Sequence, residues 1–215
     1  MKLIILSGPC AAGKDTLMRF LTRRGAKRLI SHTSRKKRPS ECEGREYFFV
    51  TEEEFLRMYD DGEFINRRTY EAENGTTYYG LHSVKNGAFD PYGIYVTAAD
   101  IKGAKEIRDH YRGIGVEPLL VFVTCDQDTR ILRAIERGGM TKEDVLERDR
   151  LEDDLQGDGG EDYSILVNNS GTASDLVRTA MVLYAIVKDD IRPKTKLVIE
   201  TDKDFRREGG KNDNR

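Results

Sequence analysis

One stretch near the N-terminus limits what this chain can fold into: residues 3–24, with the sequence LIILSGPCAAGKDTLMRFLTRR. It begins with an apolar run, Leu3 to Leu6, that is long enough for one buried strand. A glycine-rich turn follows, and Lys14 then opens a segment whose apolar residues have helical spacing. The order of strand, G-x-x-x-x-G-K turn and helix predicts a phosphate-binding loop rather than an ordinary glycine turn.

The residues of this loop are small, so the backbone can wrap closely around a phosphate. Successive N–H groups and the positive end of the helix would point at the anion, and Lys14 would add a movable positive charge. The predicted phosphate contacts are Gly8, Pro9, Cys10, Ala11, Ala12, Gly13, Lys14, Asp15 and Thr16.

The residue after the lysine departs from the usual pattern. Ser or Thr normally stands there and binds Mg²⁺ through its hydroxyl, whereas this chain has Asp15 followed by Thr16. A carboxylate is also a hard oxygen ligand, so Asp15 is a candidate Mg²⁺ ligand. Helix capping or pairing with the helix dipole is the alternative role.

Composition excludes several classes of protein. The 215 residues suit one domain with small inserted lobes, and a net charge of −2 gives no basic field to attract nucleic acid or a membrane surface. The chain has no apolar run near the ~20 residues of a membrane helix, and its start does not resemble a signal peptide. Scattered Cys10, Cys42 and Cys125 predict reduced thiols and a cytoplasmic location, not a disulfide framework or zinc site.

Strand and helix patterns alternate along most of the chain. Strands are expected near 3–6, 93–98, 118–124 and 163–167, and helices near 14–24, 100–112, 126–137 and 173–188. This alternation predicts an α/β fold with a parallel sheet that is covered by helices on both faces.

Two segments interrupt the alternation. Residues 31–90 are polar and aromatic, and a capping signature at Thr51 and Glu54 predicts a helix there. Residues 138–156 carry a second signature, Thr141 and Asp144, and a highly charged helix flanked by glycines that predict hinges. The tail, 189–215, is charged and is expected to be partly disordered, with one edge strand at 196–201.

The cationic run SHTSRKKRP at 31–39 could by itself be a nuclear-localisation or nucleic-acid patch. It is followed, however, by Tyr-Phe-Phe-Val at 47–50 and Tyr-Tyr-Gly at 78–80. With the phosphate loop and the charged segment, these motifs resemble the guanylate kinase family over roughly residues 3–188. The resemblance implies a three-layer P-loop NTPase core (1–30, 91–137 and 157–188), an inserted nucleoside-monophosphate-binding lobe (31–90) and a helical lid (138–156).

The resemblance also implies an acceptor site. Arg35 and Arg38 match two arginines that bind the acceptor's phosphate, and Tyr47 and Tyr79 match two tyrosines whose hydroxyls reach it. Guanidinium forks suit a phosphate dianion. A solvated face is the alternative for the arginines, and apolar packing is the alternative for the tyrosines. Ser31 matches a serine near the base.

Lid arginines are implied in the same way. Arg133, Arg137 and Arg148 match family residues that neutralise the transferring phosphoryl group and help to exclude water. Pairing with glutamates along a charged helix is the alternative.

Two strand ends carry further candidates. Asp100 matches the second of two family aspartates, of which the first is Ala98 here, but Asp100 could equally be a helix N-cap. Asn168 lies in a stretch that resembles the adenine-pocket lining, with a helix cap at Asn169 or Ser170 as the alternative.

The resemblance is weakest where the family reads its base. The family's glutamate, which accepts hydrogen bonds from guanine, is Asn66 here, and the hydroxyl residue after Tyr-Tyr-Gly is Leu81. The residues for the phosphate are therefore kept and those for the base are altered. We expect weaker selection of guanine unless Glu71 or Glu73, in the loop after Asn66, takes over.

Taken together, the resemblance implies a soluble, ATP- and Mg²⁺-dependent kinase of a nucleoside monophosphate such as GMP or dGMP. It would act in the cytoplasm on small nucleotides, as a monomer or homodimer, without nucleic-acid or membrane partners. A sugar-bisphosphate kinase, whose loop also contains Gly-Lys-Asp, is the nearest alternative. A non-catalytic guanylate-kinase-like interaction module is the alternative from another class.

Overall fold

The computed structural model describes residues 1–72, 75–83, 89–138, 140–156, 163–191, 193 and 195–201, with only the backbone at 72 and 151–156. Glu73, the predicted hinge glycines at 139, 157, 159 and 160, and the predicted disordered end of the tail lie outside these ranges.

Strands and helices alternate along much of the described chain. The strands are β1 (Lys2–Ser7), β2 (Lys27–Arg28), β3 (Ser31–Thr33), β4 (Phe48–Phe49), β5 (Arg68–Ala72), β6 (Gly75–Leu81), β7 (Ile94–Ala98), β8 (Leu119–Thr124), β9 (Ile165–Asn168) and β10 (Leu197–Glu200). The helices are α1 (Lys14–Arg23), α2 (Glu52–Asp60), α3 (Ile101–Gly113), α4 (Gln127–Arg137), α5 (Lys142–Gln156) and α6 (Ala173–Lys188).

The larger sheet has six strands in the order β10-β9-β8-β1-β7-β2, and each neighbouring pair is parallel. Side chains of β1 alternate between its faces. Ile4 and Leu6 pack with helices α1 and α6, while Leu3 and Ile5 pack with α3. The sheet is therefore buried between helices on both sides, as the sequence predicted, and its three-layer α/β architecture is confirmed.

The smaller sheet has four strands in the order β4-β3-β6-β5 and lies within residues 31–90. Helix α2 packs on it through Phe55, whose ring stacks on Phe64 at 4.6 Å and on Tyr78 at 5.5 Å between centroids. The sequence predicted α2, with its capping box at Thr51 and Glu54, but it did not predict the β5–β6 hairpin. Strand pairing depends on register between separate segments, which local propensity does not specify.

Most predicted elements agree with the structure to within one or two residues. The edge strand predicted at 196–201 is β10, and the capping box at Thr141 and Asp144 is formed. Helix α6 differs: its N-cap is Thr172, which forms a capping box with Asp175, so the alternative cap at Asn169 or Ser170 is wrong. Within the described residues, every helix is too short or too polar to cross a membrane.

Candidate nucleotide-binding site

The predicted phosphate loop lies between the end of β1 and the start of α1. Gly8 has φ of 129°, and a Cβ at that position would collide with the carbonyl oxygen of Val123 on β8. Gly13, with φ of 102°, is the N-cap of α1. The Lys14 amine donates to the carbonyl oxygens of Gly8 and, at 2.9 Å, Pro9, so it lies across the mouth of the loop. This arrangement places a cation and a helix N-terminus at one point, as anion binding requires.

Asp15 points away from the core in the first turn of α1. Its side chain is 54% exposed, and its carboxylate lies 3.5 Å from the guanidinium of Arg28. That ion pair partly neutralises the extra negative charge beside the loop. An exposed carboxylate at this place remains able to offer oxygen to a hard cation.

Two clefts meet at the loop, and we name them by position. The deep cleft runs from the loop under the smaller sheet. The loop cleft lies on the other side, against α4 and the turn after β9. Lys14, Asp15 and Arg137 line both. The deep cleft also collects all the predicted acceptor contacts: Ser31, Arg35, Arg38, Tyr47, Asn66, Tyr79 and Asp100.

Guanidinium groups are concentrated in the deep cleft. Glu41 accepts hydrogen bonds from Arg35 Nη2 at 2.8 Å and from the Arg38 backbone at 2.8 Å, and it lies 3.6 Å from the Arg38 guanidinium. The Arg35 Nε also donates to the Tyr79 hydroxyl at 3.2 Å. Burial and the charges of Arg35 and Arg137 lower the pKa of Arg38. These positive groups therefore repel one another, and an anion that binds between them would relieve the repulsion.

The tyrosines form the side wall of this cluster. The rings of Tyr47 and Tyr79 meet edge to face, with centroids 5.7 Å apart. The Arg35 guanidinium lies 5.6 Å from the Tyr47 ring centroid. Burial raises the pKa of Tyr47, so its hydroxyl stays protonated and available as a neutral donor at pH 7.

The inner end of the deep cleft is built differently from its mouth. Asn66 is buried, and its Oδ1 accepts a hydrogen bond from the Leu81 N–H at 3.0 Å. The part of the Asn66 side chain that remains for a ligand is its amide donor. Its carbonyl end is bonded to β6, so the predicted contact of Asn66 with a base would involve mainly the amide N–H groups.

Asp100 has the capping role that the sequence left open. Its Oδ1 accepts from the Gly103 N–H at 2.6 Å, which caps α3, and also from Arg68 Nε at 2.9 Å. Its Oδ2 accepts from the Tyr70 hydroxyl at 2.9 Å. The carboxylate lines the deep cleft, but much of its acceptor capacity is already used within the protein.

The predicted lid arginines divide between the clefts. Arg133 donates to the carbonyl oxygen of Asn169 at 3.3 Å and lines the loop cleft, whereas Arg137 lines both clefts. Arg148, on α5, lies 4.8 Å from the centroid of the Tyr70 ring and lines the deep cleft. The alternative of pairing with carboxylates applies to their neighbour Arg130, which forms hydrogen bonds with Asp149 at 2.7 and 2.8 Å.

The turn after β9 places Asn169, rather than the predicted Asn168, beside the loop cleft. The Asn168 Oδ1 accepts from the Ser170 hydroxyl at 2.8 Å. The Asn169 Nδ2 instead donates to the carbonyl oxygen of Ala12 at 2.8 Å. Because consecutive side chains at a strand end point to opposite sides, the one-residue difference decides which asparagine reaches the loop.

Comparison with known proteins agrees with this geometry. The sequence model described as guanylate kinase matches residues 1–182. This chain belongs to the guanylate kinase family. The guanylate kinase of Nostoc sp. is 29% identical over 190 residues, which span 84% of this chain and 89% of that protein. The guanylate kinase of Bartonella henselae is 30% identical over 193 residues, which span 87% of this chain and 83% of that protein. The crystal structure of guanylate kinase from Anaplasma phagocytophilum shares the fold, with a TM-score of 0.58 at 20% identity over 88% of this chain and 86% of that chain.

Sequence reasoning missed two cleft residues of this guanylate kinase family member. Arg68 pairs with Asp100 at 2.9 Å and with Glu106 at 2.9 Å, and Tyr70 donates to Asp100. Both side chains lie on β5 and face the deep cleft. The spacing of two between them is the signal of a shared strand face, but it is visible only once β5 is known to be a strand.

Glu41 generates a prediction about pH. Burial alone would raise the pKa of Glu41, but hydrogen bonds from Arg35 and from the Arg38 backbone lower it below its ordinary value. A carboxyl group whose pKa is lowered in the folded protein stabilises it at pH values above the pKa of the unfolded chain. That stabilisation is lost as the pH falls through the pKa of the folded protein. Glu41→Gln should therefore reduce the free energy of unfolding at pH 7 by about 1–3 kcal/mol.

The test is urea unfolding of wild type and Glu41→Gln from pH 7 downwards. The difference in the free energy of unfolding between the two proteins should shrink as the pH falls below about 4. Glu147→Gln, an exposed site on α5, is the matched control and should show little difference at any pH. A difference for Glu41→Gln that stays constant to low pH would contradict the assigned role of its charge.

Proposed function

We propose that this chain transfers the γ-phosphate of ATP to GMP, giving ADP and GDP. It is an ATP-dependent nucleoside monophosphate kinase of the guanylate kinase family. The observation that carries the proposal is the junction of the two clefts, where Arg137 lines both and acts electrostatically on Arg38. A phosphoryl group that passes from one cleft to the other would cross this cationic point.

The chemistry needs no side-chain nucleophile. An oxygen of the acceptor's phosphate attacks the γ-phosphorus in line, and a new P–O bond forms as the bond from γ-phosphorus to the β–γ bridging oxygen breaks. ADP leaves with that electron pair. Positioning and neutralisation of charge supply most of the catalysis in reactions of this kind.

In this proposal ATP binds in the loop cleft. The backbone from Gly8 to Thr16 holds its phosphates, and Lys14 contacts the outer ones. Mg²⁺ is the usual companion of ATP, and the exposed oxygens of Asp15 suit that hard cation. The metal would neutralise charge on the β- and γ-phosphates when bound. Asn169 and Thr172 form the remaining wall.

GMP, by the same proposal, binds in the deep cleft. Arg35 and Arg38 hold its phosphate, assisted by the hydroxyls of Tyr47 and Tyr79. Ser31, Asn66 and Asp100 lie further in, where the base would reach. Residues 31–90 would then form the acceptor lobe, and residues 138–156 would form the lid that carries Arg148 over the acceptor and excludes water.

The alternatives lack support of this kind. A non-catalytic module needs no lysine at the loop mouth and no guanidinium shared between two clefts, yet this chain has both. The relatives from Nostoc sp. and Bartonella henselae are named guanylate kinases. The three cysteines are free thiols, which suits the proposed cytoplasmic location. A monomer or homodimer completes the proposal.

The loop lysine gives the direct test of this proposal. Wild type should form ADP and GDP from ATP and GMP, and Lys14→Ala should lower turnover about a hundredfold or more, because a charge aimed at the transferring group is lost. The measurement is a coupled ADP assay with circular dichroism as a check of folding. Lys102→Ala, exposed on α3, should retain full activity. Turnover of Lys14→Ala within tenfold of wild type would overturn the assignment of the loop.

Arg137 generates a prediction about kinetics. If its contact forms in the transition state, Arg137→Ala should lower kcat about a hundredfold while each KM changes less than about threefold. Initial rates with each substrate varied in turn would measure this split. Arg150→Ala removes an exposed arginine from neighbouring α5 and serves as the control. A change confined to one KM would show that Arg137 only binds a substrate.

The inner end of the deep cleft generates a prediction about base selection. The Asn66 oxygen is used by Leu81, and the Asp100 oxygens are used by Arg68 and Tyr70, so guanine's N–H donors meet few available acceptors. IMP, which lacks the 2-amino group, should therefore have kcat/KM within about threefold of GMP, whereas Asn66→Glu should favour GMP by about tenfold or more.

The control for base selection is Glu71→Gln, an exposed carboxylate on β5 that could otherwise supply an acceptor. Its GMP-to-IMP ratio should equal that of wild type. A wild-type preference for GMP of tenfold or more would contradict the prediction, and loss of that preference in Glu71→Gln would identify the responsible group.

A further inference from the structure

Strand β10 lies beyond the residues that the family model matches, which end at 182. It nevertheless joins the core sheet, parallel to β9, with Glu200 paired to Asn168. Three of its four residues are exposed, and only Ile199 packs on the main core. Strand β10 therefore buries little apolar surface, so burial alone does not explain why it lies beside the end of β9.

Thr201, directly after β10, is 5% exposed and is hydrogen bonded to the turn that follows β9. Its hydroxyl donates to the carbonyl oxygen of Asn168 at 2.6 Å and accepts from the Gly171 N–H at 2.7 Å. Its own N–H donates to the same Asn168 oxygen at 3.0 Å. A Cβ on Gly171 would lie only 2.7 Å from the Thr201 Cβ, so the two backbones fit closely.

The opposite side of this turn contacts the phosphate loop. Asn169 donates through Nδ2 to the Ala12 carbonyl at 2.8 Å, and the same amide occupies the space that a Cβ on Gly13 would need. The backbone carbonyl oxygen of Asn169 accepts hydrogen bonds from both terminal nitrogens of Arg133 at 3.3 Å. The turn thus lies between Thr201 on one side and the loop with Arg133 on the other.

We propose that Thr201 is a positioning residue for the ATP side of the reaction, and that strand β10 is part of the nucleotide site of this chain. This inference rests on the proposed function, which places ATP in the loop cleft. Thr201 holds the carbonyl of Asn168 and the amide of Gly171, and so sets where Asn169 meets the loop. The deep cleft is not contacted by Thr201, so the acceptor should be unaffected.

The test compares Thr201→Val, which keeps shape and strand propensity but removes the hydroxyl, with Thr201→Ser, which keeps it. Thr201→Val should raise the KM for ATP and the dissociation constant of ADP about three- to tenfold, the effect of one or two hydrogen bonds. The KM for GMP and kcat should change less than twofold. Thr201→Ser should restore the wild-type values.

Val198→Thr alters an exposed β10 side chain and is the control for general loosening of the strand; it should leave all constants unchanged. ADP binding is measured by calorimetry on the full chain, at a temperature where urea curves show every variant folded. Unchanged ADP affinity in Thr201→Val would overturn the inference. The inference would also be overturned if Thr201→Val raised the KM values for ATP and GMP equally, or if Thr201→Ser did not restore ADP affinity. A structural defect would then explain the result.

Failure of the inference can be told from failure of the proposed function. If ADP binding depends on Lys14 but not on Thr201, the inference alone is wrong. If ADP binding and turnover are indifferent to Lys14→Ala, the assignment of the loop is wrong and the inference falls with it.

Discussion

The phosphate loop lies where it does because its backbone approaches the rest of the protein with no side chain between them. A Cβ on Gly8 would collide with the Val123 carbonyl on β8, and one on Gly13 would collide with the Asn169 amide. The loop is therefore held by a core strand on one side and by the turn after β9 on the other. Both clefts take their position from this double contact, since residues of the loop line each of them.

The second determinant of the site is repulsion between like charges. The protein places Arg35, Arg38 and Arg137 near one another and offsets part of the cost through Glu41, which accepts from the first two. Such clusters are found where anions bind, because the ligand supplies the missing negative charge. A phosphate that bound among these arginines, as the proposed function requires, would relieve this repulsion.

Local signals in the sequence predicted the elements well. The apolar run and glycine turn gave β1, the loop and α1, and the capping boxes at Thr51 and Thr141 marked helix starts, because a cap involves residues three apart. Contacts between distant segments were not predictable. The Asn66 side chain accepts a hydrogen bond from the N–H of Leu81, fifteen residues away, and the Thr201 hydroxyl accepts one from the N–H of Gly171, thirty residues away.

Which of two neighbouring side chains faces a cleft was equally hidden. Asn168 and Asn169 differ by one position at a strand end, and only pairing with β8 and β10 decides their sides.

The contact between Arg148 of α5 and Tyr70 of β5 has a wider consequence. In the proposed function it would join the lid, residues 138–156, to the wall of the cleft that holds the acceptor. An acceptor that favours this contact would then favour closure of the lid over ATP, and by thermodynamic linkage ATP would tighten acceptor binding by the same factor.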